Sequence, residues 1–169
     1  MIRILLISDS HSKFHFKDIY KQEKPDYAIH AGDSELRYDE LDLFDKIVKG
    51  NCDFDQKLKD IEILNIQGYS IFITHGHKKR INFGPNNIVL DAKADDCNIV
   101  VHGHTHVVCA DVIDNVLVLN PGSISQSRCS FVESYMVITM DDKNIEVDLK
   151  NAVTYELIKN MKFTNGELC

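Results

Sequence analysis

The chain lacks the features that define several classes of protein. No apolar run approaches the length that a membrane-spanning helix needs. The apolar segment Met1–Ser8 is too short for a secretory signal, and no small-residue cleavage site follows it. Cysteines are odd in number and have no paired short spacing, which favours reduced thiols over a disulfide framework. They are Cys52, Cys97, Cys109, Cys129 and Cys169. These absences predict a cytoplasmic protein with no membrane partner.

The chain also lacks excess positive charge. Its 26 acidic residues outnumber the 19 lysines and arginines, so the formal net charge is −7 at pH 7. Such a surface repels polyanions, and long nucleic acid is not an expected partner. Bound divalent cations would nevertheless reverse the field inside a pocket and allow it to hold a small phosphate ester.

The length and composition indicate one globular domain. The 169 residues are 44% hydrophobic and 27% charged, without repeats, low-complexity stretches or linkers. We predict a single domain over 1–169, in which residues 155–169 form a peripheral C-terminal tail. A homo-oligomer with an even number of subunits is the expected assembly.

Short apolar runs alternate with helical patterns, which is typical of an α/β domain with two stacked sheets and outer helices. Polar turns are expected at Gln67-Gly68-Tyr69, at Asp114-Asn115 and at Asp141-Asp142-Lys143. The predicted helices are Ser12–Glu23, Asp39–Lys46, Asn87–Ala94 and a weak helix after Asn151, followed by a polar tail. The predicted strands are Ile2–Ser8, Tyr27–Ala31, Ile47–Lys49, Glu62–Ile66, Ser70–Thr74, Asn98–His102, Val107–Val112, Val116–Leu119, Ser134–Thr139 and Asn144–Leu149.

Polar clusters follow five of the predicted strands. In an open α/β sheet, ligands bind at the carboxyl ends of the strands, so we expect these loops to meet at one rim. The clusters are Asp9-Ser10-His11, Gly32-Asp33, Gly50-Asn51-Cys52-Asp53, Thr74-His75-Gly76-His77 and Gly103-His104-Thr105-His106.

The residue types in these clusters point to metal ions. Imidazole, carboxylate and amide oxygen are donors for manganese, iron, zinc, cobalt or nickel, and they do not form a thiolate zinc site. A carboxylate shared by two such ions gives a centre in which the ions are about 3.5 to 4 Å apart. Each motif alone is a weak signal, so the prediction depends on their joint occurrence.

The order of the five motifs resembles that of the calcineurin-like metallophosphoesterases, within a branch of small bacterial and archaeal phosphodiesterases. The resemblance covers nearly the whole chain and includes Asn120-Pro121-Gly122-Ser123. It implies a four-layer α/β/β/α sandwich with two stacked, mainly mixed sheets and the metal site at strand carboxyl ends. It also implies hydrolysis of a small phosphate ester, preferentially a phosphodiester.

The same resemblance implies a site for two divalent metal ions, with Mn²⁺ expected first and Ni²⁺, Fe²⁺, Zn²⁺ or Co²⁺ as alternatives. A hydroxide held between the ions would attack phosphorus in line, and Asp33 would bridge the ions. The implied ligands are Asp9, His11, Asp33 and His106 for one ion, and Asp33, Asn51, His75 and His104 for the other.

Cys52 departs from the pattern of many relatives, which carry at this position a histidine that contacts substrate or protonates the leaving oxygen. A thiol with an ordinary pKa of about 8.5 is a weak acid for that role. His77, two residues after His75, is the remaining candidate. We therefore predict catalytic roles for Asp33, Cys52 and His77, and substrate contacts for Asn51, Cys52 and His77.

Nearby polar residues suggest supporting roles. His30 and His102 end apolar strands, so packing or support of the ligands is expected rather than ligation. Asp53 is predicted to hydrogen-bond a ligating histidine.

Two other functions remain open at this stage. A non-catalytic, protein-binding scaffold of the same fold, such as the retromer subunit that resembles this family, would lack some of the ligands that this chain retains. A phosphomonoesterase or nuclease is compatible with the same ligands, because the metals do not specify the remaining ester group.

Overall fold

The computed structural model describes residues 1–128 and 132–168, which form eleven strands and two α-helices. The helices are α1 (Phe16–Glu23) and α2 (Asn86–Ala94). The strands are β1 (Ile2–Ile7), β2 (Tyr27–His30), β3 (Lys46–Ile47), β4 (Ile61–Ile66), β5 (Tyr69–Thr74), β6 (Ile99–Val101), β7 (Cys109–Ile113), β8 (Val116–Asn120), β9 (Ser134–Met140), β10 (Asn144–Asn151) and β11 (Leu157–Thr164).

Both sheets are mixed. The six-stranded sheet has the order β11-β10-β9-β1-β2-β3, with parallel pairing on one side of β1 and antiparallel pairing on the other. The five-stranded sheet has the order β4-β5-β6-β8-β7, in which β5, β6 and β8 are parallel. The mixed pairing agrees with the sequence-based prediction.

Side chains that alternate along the central strands separate the layers. Ile4 and Leu6 of β1 pack in a core between the two sheets, whereas Leu5 and Ile7 pack against the side that carries α1. On the second sheet, Val100 packs with α2 on the outer face. A strand with both faces covered must be apolar throughout. The predicted four-layer α/β/β/α sandwich is therefore confirmed.

The hairpin turns explain two sequence features. Gln67 and Gly68 both have positive φ, 47° and 83°, and the turn between β7 and β8 has φ of 48° at Asp114 and 64° at Asn115. Two residues with positive φ give the turn type that matches the twist of a hairpin. The first turn is one residue shorter than predicted, because Tyr69 already pairs with Ile66.

The helix predicted over Asp39–Lys46 is wrong. This segment contains a 3₁₀ turn at Tyr38–Glu40 and a further turn in which the Phe44 N–H donates to the Leu41 carbonyl at 3.1 Å, and Lys46–Ile47 already forms β3. Leu41 and Phe44, three residues apart, are buried and mimic a helical stripe. The turn does not continue into a helix, because the Asp45 carboxylate accepts the Ala28 N–H at 2.8 Å and so ties the segment to β2.

The first helix is also shorter than predicted. It begins at Phe16 and not at Ser12, because the preceding loop departs from helical backbone geometry: φ is positive at His11 and at Ser12. This irregular loop carries one of the predicted ligands.

The weak helix predicted after Asn151 is wrong as well. Leu157–Thr164 forms β11, which pairs with β10 at the edge of the six-stranded sheet, so most of the predicted tail is sheet. Ile158 and Met161 pack against the core although their spacing of three looks helical. The spacing results from a shift in register, because Leu149 pairs with Lys159 and Lys150 with Leu157, which leaves Ile158 in a bulge.

Cys52, Cys97 and Cys109 are free thiols. The expectation of reduced thiols at Cys129 and Cys169 falls outside the described residues. Neither described helix is long and apolar enough to span a bilayer.

Candidate metal centre

Loops that follow the strands bring the predicted ligands together at one end of the sandwich. Their side-chain donor atoms form three groups, within each of which the atoms lie less than 4.8 Å apart. The groups are Asp9, His11 and His106; Asp33, His75 and His104; and His11, Asp33 and Cys52. The third group joins the other two, because it contains Asp33 and His11.

The first group surrounds a buried carboxylate oxygen. Asp9 Oδ1 lies 3.1 Å from Nε2 of His106, 3.9 Å from Nε2 of His75 and 4.0 Å from Nε2 of His11. It receives no hydrogen bond in good geometry from the described residues. The other oxygen, Oδ2, accepts the Ser8 hydroxyl at 2.6 Å and the His104 N–H at 3.1 Å. Oδ1 is thus the atom left to bind a cation.

The second group has the same character. Nε2 of His75 lies 3.2 Å from Asp33 Oδ2 and 3.2 Å from Asn51 Oδ1. The amide of Asn51 therefore presents its oxygen to the cluster, as a metal ligand would. His104 lies beside His75, and the centroids of the two rings are 5.2 Å apart.

Hydrogen bonds fix which nitrogen each imidazole presents. Nδ1 of His75 donates to the Ala31 carbonyl and Nδ1 of His106 donates to the Gln126 carbonyl, each at 2.7 Å. Nδ1 of His11 lies 2.6 Å from Glu35 Oε1. A carbonyl can only accept, so the Nε2 atoms of neutral rings carry lone pairs. Orientation by such partners is usual for metal-binding histidines.

Lone pairs therefore face one another across both groups. Nε2 of His11 lies 3.2 Å from Nε2 of His106, with Asp9 Oδ1 beside them. The arrangement needs positive charge, supplied by protons or by metal ions. Burial lowers the pKa of His106, but the interaction with Asp9 raises it more, so the net shift is upward. The residues present fit divalent ions by their donor types and by this deficit of positive charge.

The backbone is strained where the ligands stand. Positive φ is uncommon outside glycine and costs energy that the surroundings must supply. It occurs at Asp9 (52°), His11 (44°), Asp33 (54°), His104 (70°) and His106 (57°). The strands thus end in left-handed residues that turn these side chains toward a common centre.

Two glycines allow the loops to approach the ligands closely. A Cβ added at Gly50 would lie 2.0 Å from Asp33 Oδ1 and 2.4 Å from the Asp33 backbone nitrogen. A Cβ at Gly103 would lie 2.7 Å from Asp9 Oδ2. Neither position tolerates a side chain without displacing a carboxylate of the cluster.

Asp53 holds two of the loops together, but not in the predicted way. Its carboxylate accepts the backbone N–H groups of Asp33 at 2.9 Å, Glu35 at 2.7 Å and Gly50 at 2.7 Å. Among residues 1–128 and 132–168 it makes no hydrogen bond with a histidine, so the prediction of a histidine partner is wrong. The carboxylate that contacts a predicted histidine ligand is that of Glu35, beside Nδ1 of His11. The sequence analysis missed it because Glu35 follows no recognisable motif.

A second connection was also missed. The hydroxyls of Ser123 and Ser125 both donate to the Asp9 carbonyl, at 2.8 Å and 3.0 Å. The loop after β8 therefore fixes the strained residue at the end of β1. The side-chain amide of Asn120 completes this region by donating to the Gly103 carbonyl at 3.2 Å.

Cys52 and Asn51 are exposed beside these buried ligands. The backbone N–H of Cys52 donates to Asp33 Oδ1 at 2.8 Å, a contact that does not depend on its side chain. Desolvation and the negative charge of Asp33 raise the pKa of the Cys52 thiol to about 11. The thiol is therefore an even weaker acid than the sequence suggested.

His77 lies next to the second group, with its ring centroid 5.4 Å from that of His75. Its Nδ1 is buried and has no hydrogen-bond partner among the described residues. Desolvation and the neighbouring His75 lower its pKa. His77 is thus a neutral imidazole with one free nitrogen near the cluster.

His30 and His102 lie behind the ligands. Nε2 of His30 contacts the Ser10 hydroxyl at 2.9 Å, and its Nδ1 accepts the Gly32 N–H at 3.2 Å. Burial lowers the pKa of both histidines to about 4, so both are neutral. Neither belongs to a group of donor atoms that could hold a metal.

Comparison with known sequences identifies relatives over most of the chain. Residues 2–143 match the model of the calcineurin-like phosphoesterase superfamily domain. The probable metallophosphoesterase YsnB of Bacillus subtilis is 34% identical, over 90% of this chain and 99% of its own. The phosphodiesterase YfcE of Escherichia coli K12 is 32% identical over 56% of this chain and 52% of its own.

Solved structures share the fold. A conserved uncharacterized protein of Streptococcus pneumoniae TIGR4, described as a predicted phosphoesterase, superposes with a TM-score of 0.89 at 31% identity, over 96% of this chain and 97% of its own. Vps29 of Entamoeba histolytica, in complex with Zn²⁺, superposes with a TM-score of 0.75 at 24% identity, over 97% and 99% of the two chains. The second likeness concerns the fold alone.

Proposed function

The chain belongs to the calcineurin-like phosphoesterase superfamily, and we propose that it is a phosphodiesterase that depends on two divalent metal ions. The observation that carries the proposal is the convergence of unprotonated imidazole nitrogens and carboxylate oxygens in two adjoining groups. One group centres on Asp9 and the other on His75, with Asp33 close to both.

The residues that would hold the ions follow from these contacts. Asp33 would contribute to both ions, and its pKa is lowered because the contacts with His75 outweigh the effect of burial. Two divalent ions, when bound, activate a water molecule as the nucleophile and neutralise charge on the phosphoryl oxygens. The ligands would be Asp9, His11, Asp33 and His106 for one ion, and Asp33, Asn51, His75 and His104 for the other.

The nature of the donors supports Mn²⁺ as the ion. Nitrogen and oxygen donors prevail in the cluster, and the one neighbouring thiol, Cys52, has a raised pKa and is protonated at neutral pH. Such a donor set accommodates Mn²⁺, with Fe²⁺, Co²⁺, Ni²⁺ and Zn²⁺ as alternatives.

The side chains that face solvent support a diester with a good leaving group. Cys52 is a poor acid at a pKa of about 11, and the lowered pKa of His77 leaves that imidazole unprotonated. Neither can deliver a proton readily to a departing alkoxide. The half-exposed ring of His77 and the exposed amide of Asn51, which line the same groove, are instead suited to contact the substrate. The name of the relative YfcE agrees with a diester.

A non-catalytic scaffold is the alternative of a different class. The likeness to Vps29 concerns the fold and is compatible with it, whereas the intact set of seven ligand residues favours catalysis.

We further propose that the protein acts in the cytoplasm on a small phosphate ester.

A paired assay tests the proposal. The metal-depleted protein is supplied with Mn²⁺ and given bis(p-nitrophenyl) phosphate or p-nitrophenyl phosphate, with Asp9→Asn as the inactive control. We expect the diester to be hydrolysed faster. A faster reaction with the monoester would reassign the protein as a phosphomonoesterase, and full metal loading without turnover of either would favour the scaffold.

A further inference from the structure

A groove of about 580 Å³ opens beside the candidate metal centre. It shares Asn51 and His77 with the edge of that centre, and it extends away from it between the loop after β3 and the loop after β5. Three lysines line it, Lys49, Lys59 and Lys78. A substrate bound at the metal centre would therefore have space to extend into a lysine-lined channel.

Two of the three lysines have a carboxylate partner. Lys78 Nζ lies 2.7 Å from Asp60 Oδ2, and Lys59 Nζ lies 3.1 Å from Glu62 Oε1. These pairs are largely exposed, so they contribute little energy and serve mainly to cancel charge. Glu62 also pairs with Lys46 at 2.9 Å, so it offsets the charge of Lys59 only in part.

Lys49 is not compensated in this way. It is half-buried, and no carboxylate of residues 1–128 or 132–168 lies within 4.0 Å of its Nζ among the ion pairs found there. The backbone N–H groups of Tyr38 and Lys57 lower the pKa of Asp55, and the charge of Lys49 adds to this effect without an ion pair between the two side chains. Burial of a lysine commonly concerns its aliphatic stem, so the ammonium group of Lys49 remains available to an anionic group of a ligand.

The one carboxylate buried in the wall of the groove is already engaged. Asp53 accepts three backbone N–H groups and the hydroxyl of Ser34, the last at 3.0 Å. It is therefore directed toward the loop backbone and is not available to pair with Lys49. The formal net charge of the chain is −7, so its surface as a whole repels anions. An unpaired lysine makes this groove a place that attracts an anionic group of a ligand instead.

We propose that the groove binds a second phosphate group of the substrate, with the ammonium of Lys49 donating to its oxygens. The proposal rests on the function proposed above, because it places the scissile phosphate at the metal centre next to Asn51. It narrows the substrate class to phosphodiesters that carry another phosphate. Lysine binds phosphate as a point charge and so does not demand one fixed geometry.

Matched substrates test this proposal. Thymidine 5′-(p-nitrophenyl phosphate) carries one phosphate, and its 3′-phosphorylated analogue carries a second. We expect the wild-type protein with Mn²⁺ to show a KM about tenfold lower for the analogue, as one charge-assisted contact would give. Lys49→Gln should abolish this advantage, so that KM becomes equal for the two substrates.

Control variants separate the contact from general effects. Lys49→Arg keeps the charge and should retain most of the advantage. Lys162→Gln removes the same charge from β11, at the opposite edge of the sheet from β3, and should change nothing. Hydrolysis of both substrates with equal KM, or an advantage that survives in Lys49→Gln, would overturn the second-phosphate site while leaving the phosphodiesterase intact.

Binding gives a readout that does not require turnover. Calorimetry should show thymidine 3′,5′-bisphosphate binding about tenfold more tightly than thymidine 5′-monophosphate, and Lys49→Gln should remove the difference. If neither diester is hydrolysed but this difference is found, the proposed function fails and the anion site stands. Equal binding of the two nucleotides would refute the site independently of catalysis.

Discussion

Asp9 and His106 lie far apart in the chain, yet the carboxylate oxygen Oδ1 of Asp9 is 3.1 Å from Nε2 of His106. The N–H at Nδ1 of His106 donates to the Gln126 carbonyl, so Nε2 of the neutral ring carries a lone pair. The contact with Asp9 therefore brings two lone pairs together. The nearby His11 adds a third, with its Nδ1 facing Glu35.

The protein should bind two transition-metal ions per chain and lose activity on chelation. Asp33→Asn should reduce activity more than Asn51→Ala, because Asp33 is the charged donor that lies between the two groups. Elemental analysis of the dialysed protein gives the stoichiometry, and activity after titration with Mn²⁺ gives the loss. One ion at saturation, or equal losses for both variants, would contradict the assignment of Asp33 as a bridge.

Replacement of Cys52 should affect acid catalysis alone. Cys52→His places a group with an ordinary pKa of about 6.5 near the leaving oxygen, so poor leaving groups should gain more than good ones. Cys52→Ser should change little, because the thiol is a weak acid and the N–H that holds Asp33 remains. The measurement is rate against leaving-group pKa at checked metal occupancy. A serine variant that retains its metals but loses most activity would show a direct role for sulfur.

Gly50→Ala should weaken metal binding by about 10- to 100-fold, because the new Cβ would displace Asp33. Gly166→Ala is the matched control, since a Cβ there would meet no atom within 4 Å. Competition with a fluorescent chelator measures the affinity, and circular dichroism verifies that both variants are folded. Equal affinities for the two variants would show that the loop after β3 can move away without cost.

Acid should destabilise the metal-free protein partly through His30. Burial lowers its pKa to about 4, whereas the unfolded chain has a value of about 6.5, so the unfolded state takes up the proton first. The free energy of unfolding should therefore fall between pH 6.5 and pH 4, by up to about 3 kcal/mol from this residue.

Urea unfolding in the presence of a chelator, compared for wild type and His30→Gln, isolates this contribution. Glutamine does not titrate but can still donate to the Ser10 hydroxyl. The variant should be less stable at neutral pH and should show a shallower dependence on pH. Parallel curves for the two proteins would place the acid sensitivity elsewhere.

Hydrophobic pattern predicted the strands of both sheets well, because strands such as β1 and β8 are buried on both faces and leave continuous apolar runs. The pattern failed where two apolar residues three positions apart are buried for a reason other than a helix. At Leu41 and Phe44 the cause is a short turn that Asp45 ties to β2, and at Ile158 and Met161 it is a bulge in β11. Such errors depend on contacts with remote residues, which local periodicity does not contain.

The sequence located the residues of the candidate centre but not their support. Polar residues after strands are visible in the chain, and the structure brings Asp9, His75 and His106 together as expected. The roles of Glu35 and Ser125 could not be read in advance, because each depends on positive φ values and loop contacts that no motif encodes. The ligand roles themselves stay predictions until metal is measured.

The pairing of β1 has a consequence for biosynthesis. Parallel pairing with β2 involves residues made early, but the antiparallel partner is β9, so that Ile2 lies opposite Met140. The hydroxyls that donate to the Asp9 carbonyl also belong to residues that are translated late, Ser123 and Ser125. While β9 is still inside the ribosome, the histidines of the candidate centre have already been synthesised. The strand pairing that positions them is not yet complete. If the candidate centre binds metal as proposed, we expect binding only after β9 has been translated, and contacts of such long range favour slow folding.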